Sequence, residues 1–449
     1  LGFFTGLNRQ QKEAVGLLQI GTFLEYFDLM LYVHMAVLLN ELFFPETDPH
    51  TASLIAALAF CSTYVLRPFG ALLFGWIGDN IGRKTTVILT TMMMSVSCLI
   101  MANLPTYAQI GITAAWLVTA CRIIQGLSSM GEIIGAQIYV SEVTVPPGRY
   151  VGVAALGLAS SIGGMAALGL ASLVTHFSMS WRIGFWAGAG IAVIGSLART
   201  RLRETPEFVD MKRKKRLNVE RSHKNDSQKT VIIDKFNLAI SNTQIPKQRC
   251  FASFCIECGQ PFMFYLTYIY FNPILKSFGY SSSDIIFHNF FLSVFTVFCG
   301  VLMVFLCLKV YPLKILKFRM YCFIPFVVVL PFLILRSIAP WQILCLQMII
   351  IMFPVKPFPA DAIFMKSFPV QKRFTINIFI NALSRAWMHL VAAFGLVYLT
   401  EWFGYYGIWV IAFPLIGAFF WGVRHFEKLE SLHPGNDSQK QTVKYERVA

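Results

Sequence analysis

The chain has 449 residues, 56% of them hydrophobic and 14% charged, with 41 Phe and a formal net charge of +15. That balance excludes an ordinary soluble domain, in which about a quarter of the residues are charged. It is the composition of a membrane protein.

Apolar runs of about 20 residues, the length at which a helix crosses bilayer hydrocarbon, recur along the chain between short polar bends. Twelve spans are predicted, at 14–40, 52–78, 86–103, 108–140, 150–176 and 183–200, then at 250–276, 284–308, 320–336, 340–360, 375–400 and 404–423. The runs are continuously apolar and do not alternate at every second position, so a transmembrane barrel is a poor competitor. Lipid offers the backbone no hydrogen bonds, and helices are the solution that remains. The expected fold class is an all-α membrane protein of twelve transmembrane helices in two six-helix halves.

The halves are separated by the longest polar segment, which contains MKRKKR and SHKNDSQKT. The expected organisation is a first half at 1–200, a basic linker at 201–249, a second half at 250–424 and a tail at 425–449. Chains built from two such sets place a substrate site near the bilayer midplane, where the sets meet.

Lys and Arg fall in alternate connections: Arg83 and Lys84, Arg149, the run from Arg199 through Arg221, Lys309 to Arg319, Lys372 and Arg373, then Arg424 and Lys428. The intervening connections, such as FFPETDPHTAS and SFGYSSSD, are nearly free of them. The positive-inside rule makes the basic set cytoplasmic, with both termini on that side. The net charge then needs no nucleic acid to explain it, and membrane lipid headgroups are the expected neighbours. A monomer is expected.

Ten cysteines lie mostly within apolar spans, where a thiol behaves as a small hydrophobe and not as part of a disulfide framework. CIEC at 255–258 has no second pair, so no metal site is expected. No cleavable signal peptide is evident, because the first span is long and lacks a small-residue cleavage site. No nucleophile with an adjacent base and no phosphate-cradling loop is present, so neither an enzyme nor an organic cofactor is expected.

Charges within the spans carry the candidate mechanism. Glu25 and Asp28 are three apart and share a helix face, which Tyr32 continues one turn on. At bilayer depth an unpaired charge costs several kcal/mol. Two acids on one face therefore either line a cavity, where one could carry a proton, or sit solvated or salt-bridged near a span end. Arg122 in the fourth span must face a carboxylate, a polar backbone or an anionic ligand. Glu132, ten residues on, either joins a proton path or makes a structural ion pair. Arg385 and His389 are four apart in the eleventh span. His389 suits proton coupling, since its ordinary pKa is about 6.5, and packing is the alternative. Glu257, Lys356 and Asp361 are further candidates near span ends in the second half. Tyr26, Phe27, Tyr265 and Tyr268 could hold a quaternary ammonium against their ring faces, or simply pack. Trp116, Trp181, Trp341 and Trp402 are expected interfacial anchors.

The bend GWIGDNIGRKTTV at 75–87 concentrates charge and glycine between the second and third spans. Gly75, Gly78 and Gly82 permit close backbone approach, and Asp79 can reach donors at a neighbouring helix start or pair with Arg83 or Lys84. Gly75, Asp79, Gly82, Arg83 and Lys84 form a candidate conformational latch. The alternative is a basic stop that happens to contain glycines.

The spacing of this bend resembles the signature loop of the major facilitator superfamily. With GTFLEYFDLMLY, RPFGALLFGWIGDNIGRK, CRIIQGLSSMGEIIGAQIYVSEV, WRIGFW and LRETPEF in order, residues 14 to about 210 resemble its metabolite:proton symporter branch of proline/betaine, 2-oxoglutarate, citrate and shikimate carriers. The second half resembles it through FMFYLTYIYFNPILKSFGYS and KSFPVQKRFTINIFINAL. The repeat of the loop expected between the eighth and ninth spans is replaced by CLKVYPLKILKF, and Asn80 stands where many members carry arginine. The resemblance implies proton-coupled symport of a small polar metabolite by alternating access across a bacterial inner membrane. It implies a proton-linked role for Arg122; with the intramembrane charges read above, proton coupling is expected through Glu25, Asp28, Arg122, Glu132 and His389, and substrate contacts at Tyr32, Arg122, Tyr265 and Arg385. The fifth span lacks the glycine-proline pairing of the superfamily's antiporters. A non-transporting membrane sensor on the same scaffold is the alternative that the missing second loop suggests.

Overall fold

The computed structural model describes residues 9–44, 64–129, 133–177, 179–199, 213, 246–370 and 372–432, and every regular element among them is helical. Glu132, the beginning of the second span, most of the linker and the end of the tail lie outside the described residues, as do the side chains of Asp28, Tyr32 and Arg83.

The first half consists of α1 (Arg9–Phe43), α2 (Arg67–Asn80), α3 (Arg83–Asn103), α4 (Ile112–Ser128), α5 (Ile133–Val143), α6 (Gly148–His176) and α7 (Arg182–Arg199). The second half begins with α8 (Lys247–Glu257), α9 (Gly259–Tyr268) and α10 (Asn272–Ser277), which share the seventh span. Long helices α11 (Ser282–Lys309) and α12 (Pro312–Leu335) follow. The tenth span is broken into α13 (Pro340–Met352) and α14 (Asp361–Lys366). The eleventh is α15 (Arg373–Leu390), a π turn over Val391–Gly395, and α16 (Leu396–Phe403); α17 (Gly407–Leu432) is the twelfth.

Three boundaries differ from the sequence reading. The ninth span starts at Pro312, so Arg319, expected in a basic connection, lies on α12 and is buried. The tenth loses its helix after Met352, where Pro354, Pro357 and Pro359 remove donors that a helix needs. The twelfth runs on to Leu432, and its last turns dock on α12 through Lys317–Glu427 at 2.7 Å and a Tyr311 hydroxyl donated to Glu430.

Helix α6 lies against α1 within its own half and against α11 of the other half. A Cβ at Gly163 would stand 2.2 Å from the Phe23 carbonyl oxygen, so the α1–α6 approach requires glycine there. The second junction between halves is α2 on α15. Large apolar side chains cover the outer faces, among them Phe69, Trp116, Trp341 and Trp402. Trp181 departs from the expected anchors: it is buried, edge-on to Phe43 with ring centroids 5.3 Å apart.

Candidate functional site

Of the candidate latch residues, Asp79 and Gly75 meet the second half. Asp79, near the end of α2, accepts hydrogen bonds from the Thr375 backbone nitrogen at 2.9 Å and hydroxyl at 2.6 Å, in the first turn of α15. The orphan donors and positive end of a helix N-terminus suit a carboxylate. Two glycines allow this approach: a Cβ on Gly75 would lie 2.9 Å from the Thr375 Cα, and one on Gly78 would lie 2.5 Å from the Phe374 ring. Gly82 is buried at the start of α3, and Lys84 is half-buried beyond it. Beside the junction, Arg373 of α15 donates to Glu142 of α5 at 2.9 Å, a buried ion pair between the halves. Contacts between halves therefore join them at the end that carries the basic connections.

A cavity lies between the halves, in two lobes that share lining residues, among them Tyr26, Gln260, Thr296, Lys356 and Arg385. One lobe, about 830 Å³ of open space, is lined by charged and amide groups: Glu257, Arg319, Lys356, Asp361, Asn381 and Arg385, with Gln137 facing them from α5. The other, about 990 Å³, is lined by Tyr26, Tyr64, Phe264, Tyr268 and His389. The break in the tenth span delivers Lys356 to both lobes, and Gly259 makes room for it, since a Cβ there would lie 2.0 Å from the Val355 carbonyl oxygen.

Within the charged lobe, Asn381 donates to Glu257 at 2.9 Å and Arg319 donates to the Phe358 carbonyl at 2.6 Å. The Arg385 guanidinium reaches the Tyr26 hydroxyl at 3.4 Å, and the Lys356 ammonium lies 5.4 Å from the centre of the Phe358 ring. Among the described residues, none of these cations forms an ion pair with Glu257 or Asp361. The arrangement can attract an anion and hold exchangeable protons.

A model of the Major Facilitator Superfamily matches residues 18–393. The chain belongs to the Major Facilitator Superfamily. Like other members of the superfamily it is an integral membrane protein. The proline/betaine transporter of Salmonella typhimurium (strain LT2) is 32% identical over 204 residues, 44% of this chain and 41% of that one. The inner membrane metabolite transport protein YhjE of Escherichia coli (strain K12) is 35% identical over 213 residues, 46% of this chain and 48% of its own. The chain thus spans less than half the length of these curated relatives. Among solved structures, the proton:xylose symporter XylE bound to 6-bromo-6-deoxy-D-glucose aligns with a TM-score of 0.70 at 13% identity, covering 93% of this chain and 95% of that one. The human organic anion transporter MFSD10 aligns at 0.60 and 16% identity, covering 93% and 100%. These likenesses show the superfamily's twelve-helix fold.

On that fold the expected site residues separate. Arg385 and His389 reach the cavity. Glu25 is buried on α1, with Arg67 as an electrostatic neighbour. Arg122 is buried but does not line the cavity, and donates to Gln125 of its own helix at 3.0 Å. Tyr265, expected at the substrate, is turned into the core of the second half, its hydroxyl 3.4 Å from the Ala393 carbonyl; Tyr268 lines the cavity instead. Phe27 is also core.

Two cations escaped the sequence reading. Arg67 is fully buried, stands 4.3 Å above the Tyr64 ring, and has no hydrogen-bond partner for its nitrogens among the described residues. Tyr64 in turn lies against His389, the rings tilted by 39° with centroids 3.9 Å apart. A lone arginine inside an apolar run, the criterion applied to Arg122, identifies it equally well. Arg319 had no such signal, because it sits among the lysines of a basic connection.

Proposed function

We propose that this protein is a proton-coupled symporter that imports a small carboxylate-bearing metabolite by alternating access between its two halves. The observation that carries the reading is the cavity between them, in which Arg385, Lys356 and Tyr26 line both lobes, Arg319 joins them in one and Tyr64 and Tyr268 in the other. Cations in a cavity that form no ion pair among the described residues favour an anion or water beside them. A carboxylate in the charged lobe meets Arg385 and Lys356, while an adjacent ammonium reaches the ring faces of Tyr26 and Tyr268. Proline and betaine carry both groups, and the proline/betaine relatives favour that class over a dicarboxylate.

Asp79 and its partners act as the latch of the state closed at the basic end, with that end cytoplasmic and both termini on the same side. The setting is a bacterial inner membrane, and the protein works as a monomer without an enzymatic step. A non-transporting sensor finds no support among the relatives, which bear transporter names.

Uptake of radiolabelled proline, glycine betaine, 2-oxoglutarate, citrate and shikimate into proteoliposomes tests the reading. Accumulation of one of them only under an inward proton gradient is expected. Equal uptake with and without the gradient refutes symport.

A further inference from the structure

We infer that Glu257 and Asp361, in the second half, carry the coupling proton and compete with the substrate's anionic group for the cations of the charged lobe. The inference rests on the symport reading above and assigns its proton site.

The two acids arrive from different elements. Glu257 ends α8 and Asp361 begins α14; Asp361 is buried, Glu257 is half-buried, and they are electrostatic neighbours within one lobe. Three cations face them: Arg319 from α12, Lys356 from the break in the tenth span and Arg385 from α15. The other titratable neighbours are Tyr26, whose hydroxyl meets Arg385, and three thiols: Cys258 beside Glu257, Cys307 of α11 beside Asp361, and Cys299 of α11 beside Lys356 and Arg319. No acid of this lobe is locked into an ion pair among the described residues. Polar capacity is also left unused: the Nε of Arg319 and the Oδ1 of Asn381 are buried without hydrogen-bond partners. A lobe with unspent donors and acceptors is built for something that comes and goes.

Charge counting then links proton to substrate. With both acids ionised, three cations face two anions, and the lobe holds little surplus for a carboxylate. Each proton bound to Glu257 or Asp361 removes one anion and frees a cation. An incoming carboxylate is attracted more strongly, and once bound it shields the cations and so favours protonation of their former counter-charges. The two effects are one coupling free energy seen from either ligand. When the substrate leaves, the cations turn back to the acids and expel the proton. This places coupling in the second half, on side chains other than the acids of α1.

The test uses the full-length protein and the variants E257Q, D361N and E257Q/D361N, with E401Q, an exposed carboxylate, as control. Infrared spectra recorded across a pH series follow the carbonyl stretch of protonated carboxyl groups, a readout that requires no substrate. A titrating band is expected in the wild type and in E401Q and is lost in the double variant, with each single variant removing its share. In proteoliposomes, the double variant is expected to lose gradient-driven accumulation of whichever probe the wild type accumulates, while counterflow of that probe persists. Retention in the double variant of both the band and gradient-driven accumulation overturns the assignment. A wild type that accumulates no probe yet shows the band, lost on E257Q/D361N, supports the proton site and removes the metabolite reading instead. If the double variant does not fold, the two single variants carry the same comparison: two unaltered bands overturn the inference, and a diminished band in each supports it.

Discussion

Asp79 and Thr375 are 296 residues apart in sequence, yet one carboxylate oxygen accepts both the backbone N–H and the hydroxyl of that threonine. The contact joins the end of α2 to the N-terminus of α15, at the end that carries the basic connections. A hydrogen bond to a charged group contributes about 1.5–3 kcal/mol, roughly a tenfold to hundredfold change in a two-state population. Asp79→Asn is therefore expected to favour opening at the basic end and to slow turnover more than it weakens substrate binding. Spin-label distances between the ends of α2 and α15 should lengthen, and an unchanged distribution would count against a latch.

Glu142 and Arg373 brace the same junction, buried and 2.9 Å apart. Removing one partner takes this buried counter-charge from the other, and breaking a buried pair costs about 3–5 kcal/mol. Arg373→Ala should lower the melting temperature of the purified protein sharply, and Glu142→Ala with Arg373→Ala should recover part of the loss. A double variant no better than the worse single one would show that the two residues act independently.

Most of this architecture is legible in the sequence because the bilayer imposes it: apolar runs, basic connections and the glycine-rich bend each have a local cause. Contacts between halves have none. Arg373 reads as one more positive charge in a connection, and only the packing of α15 on α5 shows its partner. Arg319 was obscured because α12 begins within the basic connection, carrying an arginine inward that composition assigns to the surface. The tenth span reads as continuous because its average is apolar, although FPVKPFP contains three prolines that forbid a helix there. Those prolines were the available sign that Lys356 is delivered to a cavity. Tyr265 and Tyr268 could not be told apart, since three residues of helix rotation decide which faces the core.

Gly163 tests the packing on which the first half depends. Its missing Cβ is replaced by the Phe23 carbonyl oxygen, 2.2 Å from where that carbon would stand. Backbone cannot swing aside as a flexible side chain can, so α1 and α6 must separate to admit even a methyl group. Overpacking of this kind costs about 1–3 kcal/mol. Gly163→Ala should lower thermal stability, and Gly163→Val should lower it further. Gly16, which has open space at the Cβ position, supplies the contrast: Gly16→Ala should leave the melting temperature nearly unchanged.

The division of the cavity predicts a division of selectivity. Arg385 lines both lobes and offers a fixed positive charge, whereas Tyr268 belongs to the aromatic lobe alone, its hydroxyl tied to Thr296 at 3.0 Å. Arg385→Gln should weaken every carboxylate substrate, because all of them lose the same charge. Tyr268→Ala should weaken a quaternary ammonium selectively, since a cation over a desolvated ring gains about 2 kcal/mol that a carboxylate does not share. Tyr268→Phe keeps the ring and should retain most of the affinity while losing the Thr296 hydrogen bond. Competition by glycine betaine and by 2-oxoglutarate, measured on the same preparations, separates the two effects. Equal losses for both ligands in Tyr268→Ala would mean that the ring shapes the cavity without recognising charge, and that the tyrosine lobe is packing.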